Sequence, residues 1–85
     1  MFPYAKFPCP CCGHLVHEHE PGFHQTCPIC GWEDDLAQLR FPLMPGSSNT
    51  VSLLEAQQNY RSYGASERRS IGSTRAPDGG EGRDP

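Results

Sequence analysis

The chain has 85 residues, 35% of them apolar, with nine glycines, nine prolines and a net charge of −3. This length predicts one small domain, whose apolar core alone supplies only about 3–5 kcal/mol of stability, so we expect a metal ion or disulfides to hold the fold together. No stretch approaches the roughly 20 apolar residues of a membrane span, and the acidic balance disfavours binding to a phosphate backbone.

The first eight residues are rich in aromatic residues and proline. They contain no apolar run of signal-peptide length, and Pro3 and Pro8 interrupt the segment. We therefore expect a cytoplasmic protein, in which thiols stay reduced and paired cysteines more often hold metal than form disulfides. The count of five cysteines agrees with this expectation, because a disulfide framework would leave one thiol over.

Two cysteine pairs form an internal repeat. Each half reads Cys-Pro-x-Cys-Gly-aromatic, over residues 9–14 and 27–32. A Cys-x-x-Cys turn presents two thiolates on one side of a tight loop, and the spacing C-x2-C-x14-C-x2-C is close to that of zinc sites. We predict one structural Zn²⁺ ion, with iron as the alternative metal. The predicted ligands are the first and last residues of each turn: Cys9, Cys12, Cys27 and Cys30.

The repeat also predicts the position of the fifth thiol. Cys11 corresponds to Ile29 of the second turn and therefore points away from the metal if the two turns match. We expect Cys11 to have a packing role, with a reactive thiol as the alternative, because neighbouring thiolates raise the pKa of a thiol and disfavour its activation.

The segment between the two turns indicates a hairpin. Residues 15–19 are expected to form one strand and residues 23–26 the other, with Pro21-Gly22 as a turn signal between them. Four histidines lie in this segment, and we expect them to face solvent, with a second metal site as the alternative. These residues are His14, His17, His19 and His24.

A helix is predicted over residues 53–63. Ser52 and Glu55 form a capping box at its start, apolar residues recur at helical spacing along it, and Gly64 is placed just past its end. The acidic segment at residues 33–39 is expected to make one or two further helical turns.

The composition changes after residue 65, where Ser, Gly, Arg and Asp dominate and Ile71 is the one large apolar residue. Such a segment buries too little apolar surface to offset its ordering entropy. We therefore divide the chain into a metal-stabilised domain, residues 1–65, and a disordered tail, residues 66–85.

The second cysteine turn is followed by a conspicuous run of polar residues. Three acids follow a tryptophan, and such a group can bind a cation or an arginine of a partner protein. We predict an interaction surface here, formed by Trp32, Glu33, Asp34, Asp35 and Gln38. The alternative is that the tryptophan packs on the metal turn while the acids cap the start of a helix.

The sequence resembles the bacterial cysteine-rich proteins named for their Cys-Pro-Cys-Cys motif. Cys9-Pro10-Cys11-Cys12-Gly13 is similar to that motif, and residues 27–35 with Gln38 are similar to a second block of the family. A third block is matched in order by Gly46, Asn49, Ser52-Leu53, Glu55-Ala56, Tyr60 and Tyr63-Gly64-Ala65. The resemblance implies an intracellular, zinc-ribbon-like domain over about residues 7–65, and it implies no particular activity.

The predicted fold class is therefore a small metal-stabilised α+β domain. It comprises a zinc-ribbon-like hairpin with two Cys-x-x-Cys knuckles and one C-terminal helix, residues 53–63. The leading functional hypothesis is a noncatalytic zinc-binding module that binds another protein, because a four-thiolate site leaves no coordination position open for a substrate.

Two other functions are weighed against this hypothesis. The first is a small hydrolase that uses Glu33, Asp34 and Asp35 with a hairpin histidine, and it requires Asp34 to lie within hydrogen-bond reach of that histidine. The second is a nucleic-acid-binding zinc ribbon. It requires a basic stripe, yet six acids and two bases lie between residues 9 and 63, and Arg68-Arg69 is the one basic cluster.

Overall fold

The computed structural model describes residues 6–82. The described chain is a small α+β domain with a two-stranded antiparallel hairpin and short helices, which confirms the predicted zinc-ribbon-like class. Its elements in chain order are β1 (Phe7–Pro8), β2 (Leu15–His17), α1 (Leu36–Arg40), α2 (Leu53–Tyr63) and a 3₁₀ helix (Arg68–Ser73). Among the described residues, no helix is both long enough and apolar enough to cross a bilayer.

The hairpin does not lie where the sequence predicted it. Strand β2 pairs with β1, so that Phe7 lies opposite His17 and Pro8 opposite Leu15. Residues 23–26 form no strand, and the predicted pairing of residues 15–19 with 23–26 is wrong. The first cysteine turn itself joins the two strands, because it reverses the chain between them.

A glutamine side chain explains why the loop after β2 does not continue as a strand. Gln25 Oε1 accepts hydrogen bonds from Glu18 N at 2.9 Å and His19 N at 3.3 Å, and Gln25 Nε2 donates to His19 O at 3.1 Å. These bonds satisfy backbone groups that a strand partner would otherwise have to satisfy. Thr26 retains only an isolated bridge to Glu33.

Helix α2 has the predicted limits, Leu53–Tyr63. The Ser52 hydroxyl accepts a hydrogen bond from Glu55 N at 3.1 Å, as expected of an N-cap. Gly64 ends the helix with a φ of 81°, a left-handed conformation that glycine adopts at little cost. The helix turns Leu53 and the fully buried Ala56 toward the core.

The segment after residue 65 is packed onto the domain, which corrects the prediction of a disordered tail. Ser66 N donates to Cys30 O at 2.7 Å, Arg75 N to Pro28 O at 3.2 Å, and Leu15 N to Gly82 O at 3.1 Å. Residues 66–82 therefore run along the second cysteine turn and back to β2, where Glu81 O lies 2.7 Å from His14 Nδ1. Residues 1–5 and 83–85 of the two predicted segments lie outside the described residues.

Polar groups, not apolar side chains, hold this segment in place. The Glu81 carboxylate accepts two hydrogen bonds of 2.7 Å from the Arg75 guanidinium, and the segment's Ser66 and Glu67 are also buried. The bond from Arg75 lowers the pKa of Glu81 to about 2, so the pair is ionised at neutral pH. The low count of large apolar residues did not reveal that this segment is ordered, because charge pairing and backbone hydrogen bonds hold it in place.

Substituting Gly31 tests the contact between the 3₁₀ helix and the second cysteine turn. Gly31 has a φ of +85°, and a Cβ placed on it would lie 2.6 Å from Ser70 Cβ. We expect Gly31→Ala to lower the free energy of unfolding of the metal-loaded chain, measured by urea denaturation, by about 1–3 kcal/mol more than a matched glycine variant does.

Gly64→Ala is the matched variant. Gly64 has a φ of +81°, and nothing lies within 4 Å of a Cβ added at this position. Both variants therefore carry the same left-handed backbone strain, and the difference between them reports the contact with Ser70. Equal losses of stability would show that residues 66–82 do not pack on the turn.

Candidate metal centre

The two cysteine turns have the same backbone structure, as the sequence repeat predicted. In each turn the glycine has a left-handed φ, 81° at Gly13 and 85° at Gly31. Each turn is closed by two backbone hydrogen bonds: Gly13 N to Cys9 O (2.8 Å) and Cys9 N to His14 O (2.9 Å), and Gly31 N to Cys27 O (2.9 Å) and Cys27 N to Trp32 O (2.9 Å). The turns therefore present two equivalent pairs of sulfur atoms to one another.

The sulfur atoms of the four predicted ligands lie together, all within 4.8 Å of one another. Cys9 Sγ is 3.7 Å from Cys30 Sγ, and Cys12 Sγ is 3.7 Å from Cys27 Sγ. A tetrahedral metal with bonds of about 2.3 Å to sulfur separates its ligands by about 3.8 Å, so the cluster has the dimensions of such a site. The contacts are too long for disulfides, whose sulfurs lie about 2 Å apart, and none of the five cysteines forms a disulfide.

The four sulfur ligands are closed off from solvent. Each of these cysteines is at most 1% exposed. A metal held by all four thiolates has a full tetrahedral shell, so no position remains for a water or a substrate. The arrangement can hold a metal ion structurally and offers no open Lewis-acid site.

The thiols influence one another's protonation. Hydrogen bonding with Cys12 lowers the pKa of Cys27, whereas contact with Cys11 raises the pKa of Cys30. Thiolates packed this closely repel one another, so a divalent cation is needed before all four lose their protons.

Cys11 lies in the apolar core and outside the group of four sulfurs, as the repeat predicted. Its counterpart in the second turn, Ile29, is in the same core cluster. Both side chains are buried in this one cluster, so Cys11 contributes to the core.

The acidic run after the second turn is not an exposed surface, which corrects its prediction as an interaction surface. Trp32, Asp34, Asp35 and Gln38 are each at most 4% exposed, and only Glu33 is partly open to solvent. Trp32 belongs to the core cluster that contains the cysteines. The structure therefore agrees with the alternative interpretation, in which the run packs on the metal turn and caps a helix.

Asp34 holds the loop that crosses between the two cysteine turns. Its Oδ2 atom accepts hydrogen bonds from Gly22 N at 2.6 Å and Phe23 N at 3.1 Å, and its backbone N donates to Gln25 O at 2.7 Å. These bonds fix the Pro21-Gly22 turn against the second half of the domain.

Asp35 is the N-cap of α1 and also anchors the loop before α2. Its carboxylate accepts hydrogen bonds from Gln38 N at 3.1 Å, Ser47 Oγ at 2.6 Å and Ser48 N at 3.0 Å. Burial alone raises the pKa of Asp35, but these hydrogen bonds outweigh it and hold the pKa well below its usual range. The Asp35 carboxylate is therefore ionised at neutral pH, and it accepts hydrogen bonds that hold the fold.

A buried amide pair joins α1 to the loop at residues 44–51. Gln38 Nε2 donates to the carbonyl oxygens of Met44, Asn49 and Val51, and Gln38 Oε1 accepts from Asn49 Nδ2 at 2.9 Å. Asn49 in turn bonds both backbone groups of Glu33, at 2.8 and 2.9 Å. Sequence patterning missed this network, although an amide in the second family block, Gln38, and one in the third, Asn49, are a signal of buried hydrogen bonding.

The histidines do not form a second cluster of potential metal ligands among residues 6–82. His14 Nδ1 lies 2.7 Å from Glu81 O, His19 stacks on Phe23, and His24 Nδ1 lies 3.8 Å from Glu33 Oε2 at the surface. The prediction that these residues face solvent is wrong for His14 and His17, which are buried.

The acid–base contact required by a hydrolase is also not formed among the described residues. Asp34 makes no hydrogen bond to a histidine, and both its Oδ1 atom and His17 Nε2 are buried without a partner. Burial lowers the pKa of His17 and favours its neutral form.

Comparison with known proteins places these features in a family. The family model described as cysteine-rich CPCC matches residues 7–81, which includes both cysteine turns, α2 and the packed segment after it. No curated protein matches the chain. Because the family model covers most of the sequence, the chain belongs to the cysteine-rich CPCC family.

Proposed function

We propose that this metal-binding module is zinc-stabilised and noncatalytic, that it works by binding another protein, and that it acts in a reducing compartment such as the cytoplasm. The observation that carries the proposal is the buried cluster of four thiols with the spacing of a filled tetrahedral site, none of them in a disulfide: Cys9, Cys12, Cys27 and Cys30. Such a site stabilises a small fold and leaves no position for substrate.

Zinc suits this donor set better than other abundant divalent ions. Four thiolates are soft ligands, and hard cations such as Mg²⁺ and Ca²⁺ prefer oxygen. Iron accepts the same ligands, so the metal must be measured. Elemental analysis of the purified full-length chain is expected to give one zinc per chain, whereas iron with visible thiolate absorption would contradict this part of the proposal.

The noncatalytic part is supported by what the polar residues do. Asp34 and Asp35 bind backbone groups of loops, and the buried Gln38 binds three carbonyl oxygens. A general acid or base needs a carboxylate or imidazole that can reach a substrate. Glu33 of the acidic run lies beside a histidine at the surface. Its Oε2 atom is 3.8 Å from His24 Nδ1.

The basic residues near the C-terminus do not support the nucleic-acid alternative. Arg69 pairs with Glu67 at 2.8 Å, Arg75 pairs with Glu81 at 2.7 Å, and the Arg68 guanidinium lies 4.9 Å from the centre of the Tyr63 ring. These contacts neutralise or occupy the charges, and the rest of the domain is acidic.

A capture experiment tests the interaction role. The zinc-loaded chain, immobilised through an added tag, is expected to retain a specific protein from a cell extract, and the unfolded Cys27→Ala chain is expected not to retain it. Turnover of a substrate by the purified chain, with no protein retained, would contradict the proposal.

A further inference from the structure

The exposed bulky apolar side chains of this domain are concentrated in one region. Six large apolar residues are exposed among those described, and four of them lie on α1, the loop after it and the first turn of α2. They are Leu36, Phe41, Leu43 and Leu54. The other two, Phe23 and Ile71, lie elsewhere in the chain. We call the four residues together with Arg40, Pro42 and Met44 the α1 surface.

A groove of about 400 Å³ opens on this surface. It is lined by five consecutive residues, Arg40, Phe41, Pro42, Leu43 and Met44. Its volume lies within the range of sites that accept a few side chains or a small ligand, roughly 300–1,000 Å³.

Hydrogen bonds to the rest of the fold hold the groove open. Gln38 Nε2 donates to Met44 O at 2.9 Å, and Leu54 N donates to Pro42 O at 3.1 Å. Met44 N also donates to Phe41 O at 2.9 Å, which closes the loop as a turn. The apolar side chains therefore project from a backbone fixed at both ends, and binding would order little additional chain.

One cation lines the groove. Arg40 is exposed, and within residues 6–82 it has no ion pair and no side-chain hydrogen bond. It lies one helical turn after Leu36, so both side chains lie on the same face of α1. The guanidinium presents donors suited to a carboxylate at the edge of an apolar groove.

We propose that the α1 surface binds a segment of a partner protein in which bulky apolar side chains lie next to a single carboxylate. The apolar groove accepts the side chains, and Arg40 pairs with the carboxylate. This inference rests on the proposed interaction role and names its surface, which differs from the acidic run predicted from the sequence. An anionic membrane is disfavoured as the occupant because the domain carries net negative charge.

Peptide titration of the zinc-loaded full-length chain, followed by ¹H–¹⁵N NMR, tests the proposal. The probe is a blocked seven-residue peptide with Asp-Leu-Phe at its centre. One matched peptide has Lys in place of Asp, and another has Ser-Ser in place of Leu-Phe. We expect the Asp peptide to shift the amide signals of residues 36–44 and 53–54 in a saturable way. The Lys peptide should bind about threefold to fivefold more weakly, and the Ser-Ser peptide should not bind.

Two substitutions test which residues of the α1 surface bind the peptide, and a third substitution is the matched control. Arg40→Gln is expected to abolish the preference for Asp over Lys, and Leu43→Ser to weaken binding of both peptides at least tenfold. Ile71→Ser removes an exposed large apolar side chain that lies outside the surface, and it is expected to leave binding unchanged. The same spectra show whether each variant is folded.

Several results would overturn the proposal. These are equal binding of the Asp and Lys peptides, signal shifts confined to other regions, and no binding of any peptide. It would also be overturned if these signals broadened with protein concentration, which indicates a second copy as the occupant, or if neutral lipid vesicles shifted them. If the chain retains a protein in the capture experiment and Leu43→Ser does not affect it, the surface is wrong and the interaction role stands.

Discussion

A chain carrying Cys27→Ala is expected to be unfolded at neutral pH. Cys27 supplies one of four buried sulfurs, and three thiolates cannot complete the tetrahedral shell. Structural zinc contributes on the order of 10–16 kcal/mol in small peptides, while small domains have a net stability of roughly 5–15 kcal/mol. Losing most of the metal affinity therefore removes the fold. Far-ultraviolet circular dichroism and NMR signal dispersion measure this loss.

Cys11→Ala is the control for this variant. It also removes a buried thiol from the same apolar core, but its sulfur is not one of the four. We expect this chain to fold, to bind one zinc ion and to lose only about 1–2 kcal/mol of stability. If Cys11→Ala unfolded the chain and Cys27→Ala did not, the assignment of the ligands would be wrong.

The second large effect is expected from Gln38→Ala, which should lower the free energy of unfolding of the zinc-loaded chain by about 3–5 kcal/mol. Gln38 is fully buried, and its amide donates to the carbonyl oxygens of Met44, Asn49 and Val51. Its loss removes the hydrogen-bond partner of the Asn49 backbone N–H and of the Met44 and Val51 carbonyl groups, each at a cost of about 1–3 kcal/mol before relaxation. Urea denaturation at constant excess zinc measures the change.

Gln58→Ala is the matched control for Gln38→Ala. Gln58 is an exposed glutamine on α2, and its substitution is expected to change stability by less than about 0.5 kcal/mol. Gln38→Glu adds a second comparison because a carboxylate keeps the shape but cannot donate to three carbonyl oxygens. If Gln38→Ala and Gln58→Ala lowered the free energy of unfolding by the same small amount, the amide network would not hold α1 to the loop.

Features encoded by short-range patterns were predictable from the sequence. The Cys-x-x-Cys spacing and the glycine after each pair define the two turns without any long-range information. Helix α2 was predictable for the same reason, because Ser52, Glu55 and Gly64 mark its ends within a few residues of chain. The structure has these turns and this helix where they were expected.

The hairpin was harder to locate because its strands are very short. Strand β1 contains two residues, one of them proline, so it shows no alternation of apolar and polar residues. The predicted second strand at residues 23–26 followed the Pro21-Gly22 turn signal, yet hydrogen bonds to the Gln25 side chain and the Asp34 carboxylate hold the backbone of residues 18–23 in another conformation. Hydrogen bonds between residues that are separated in the chain therefore determine the conformation of this segment.

Buried polar side chains account for two further corrections. Asp34, Asp35 and Gln38 look like a surface by composition, but each binds backbone groups 3 to 13 residues away in the chain. The segment after residue 65 looks disordered by composition, but the Arg75–Glu81 pair and backbone bonds to the second cysteine turn and to β2 hold it. Hydropathy cannot reveal such partners because they are set by the folded arrangement itself.

The central claim is that an ion held by the four cysteines determines the fold, and NMR of the reduced full-length chain before and after metal removal tests it most directly. Without metal, the amide signals are expected to collapse into the narrow range of an unfolded chain. Zinc added back should restore the dispersed spectrum completely at one equivalent. A dispersed, unchanged spectrum of the fully reduced, metal-free chain would contradict the claim.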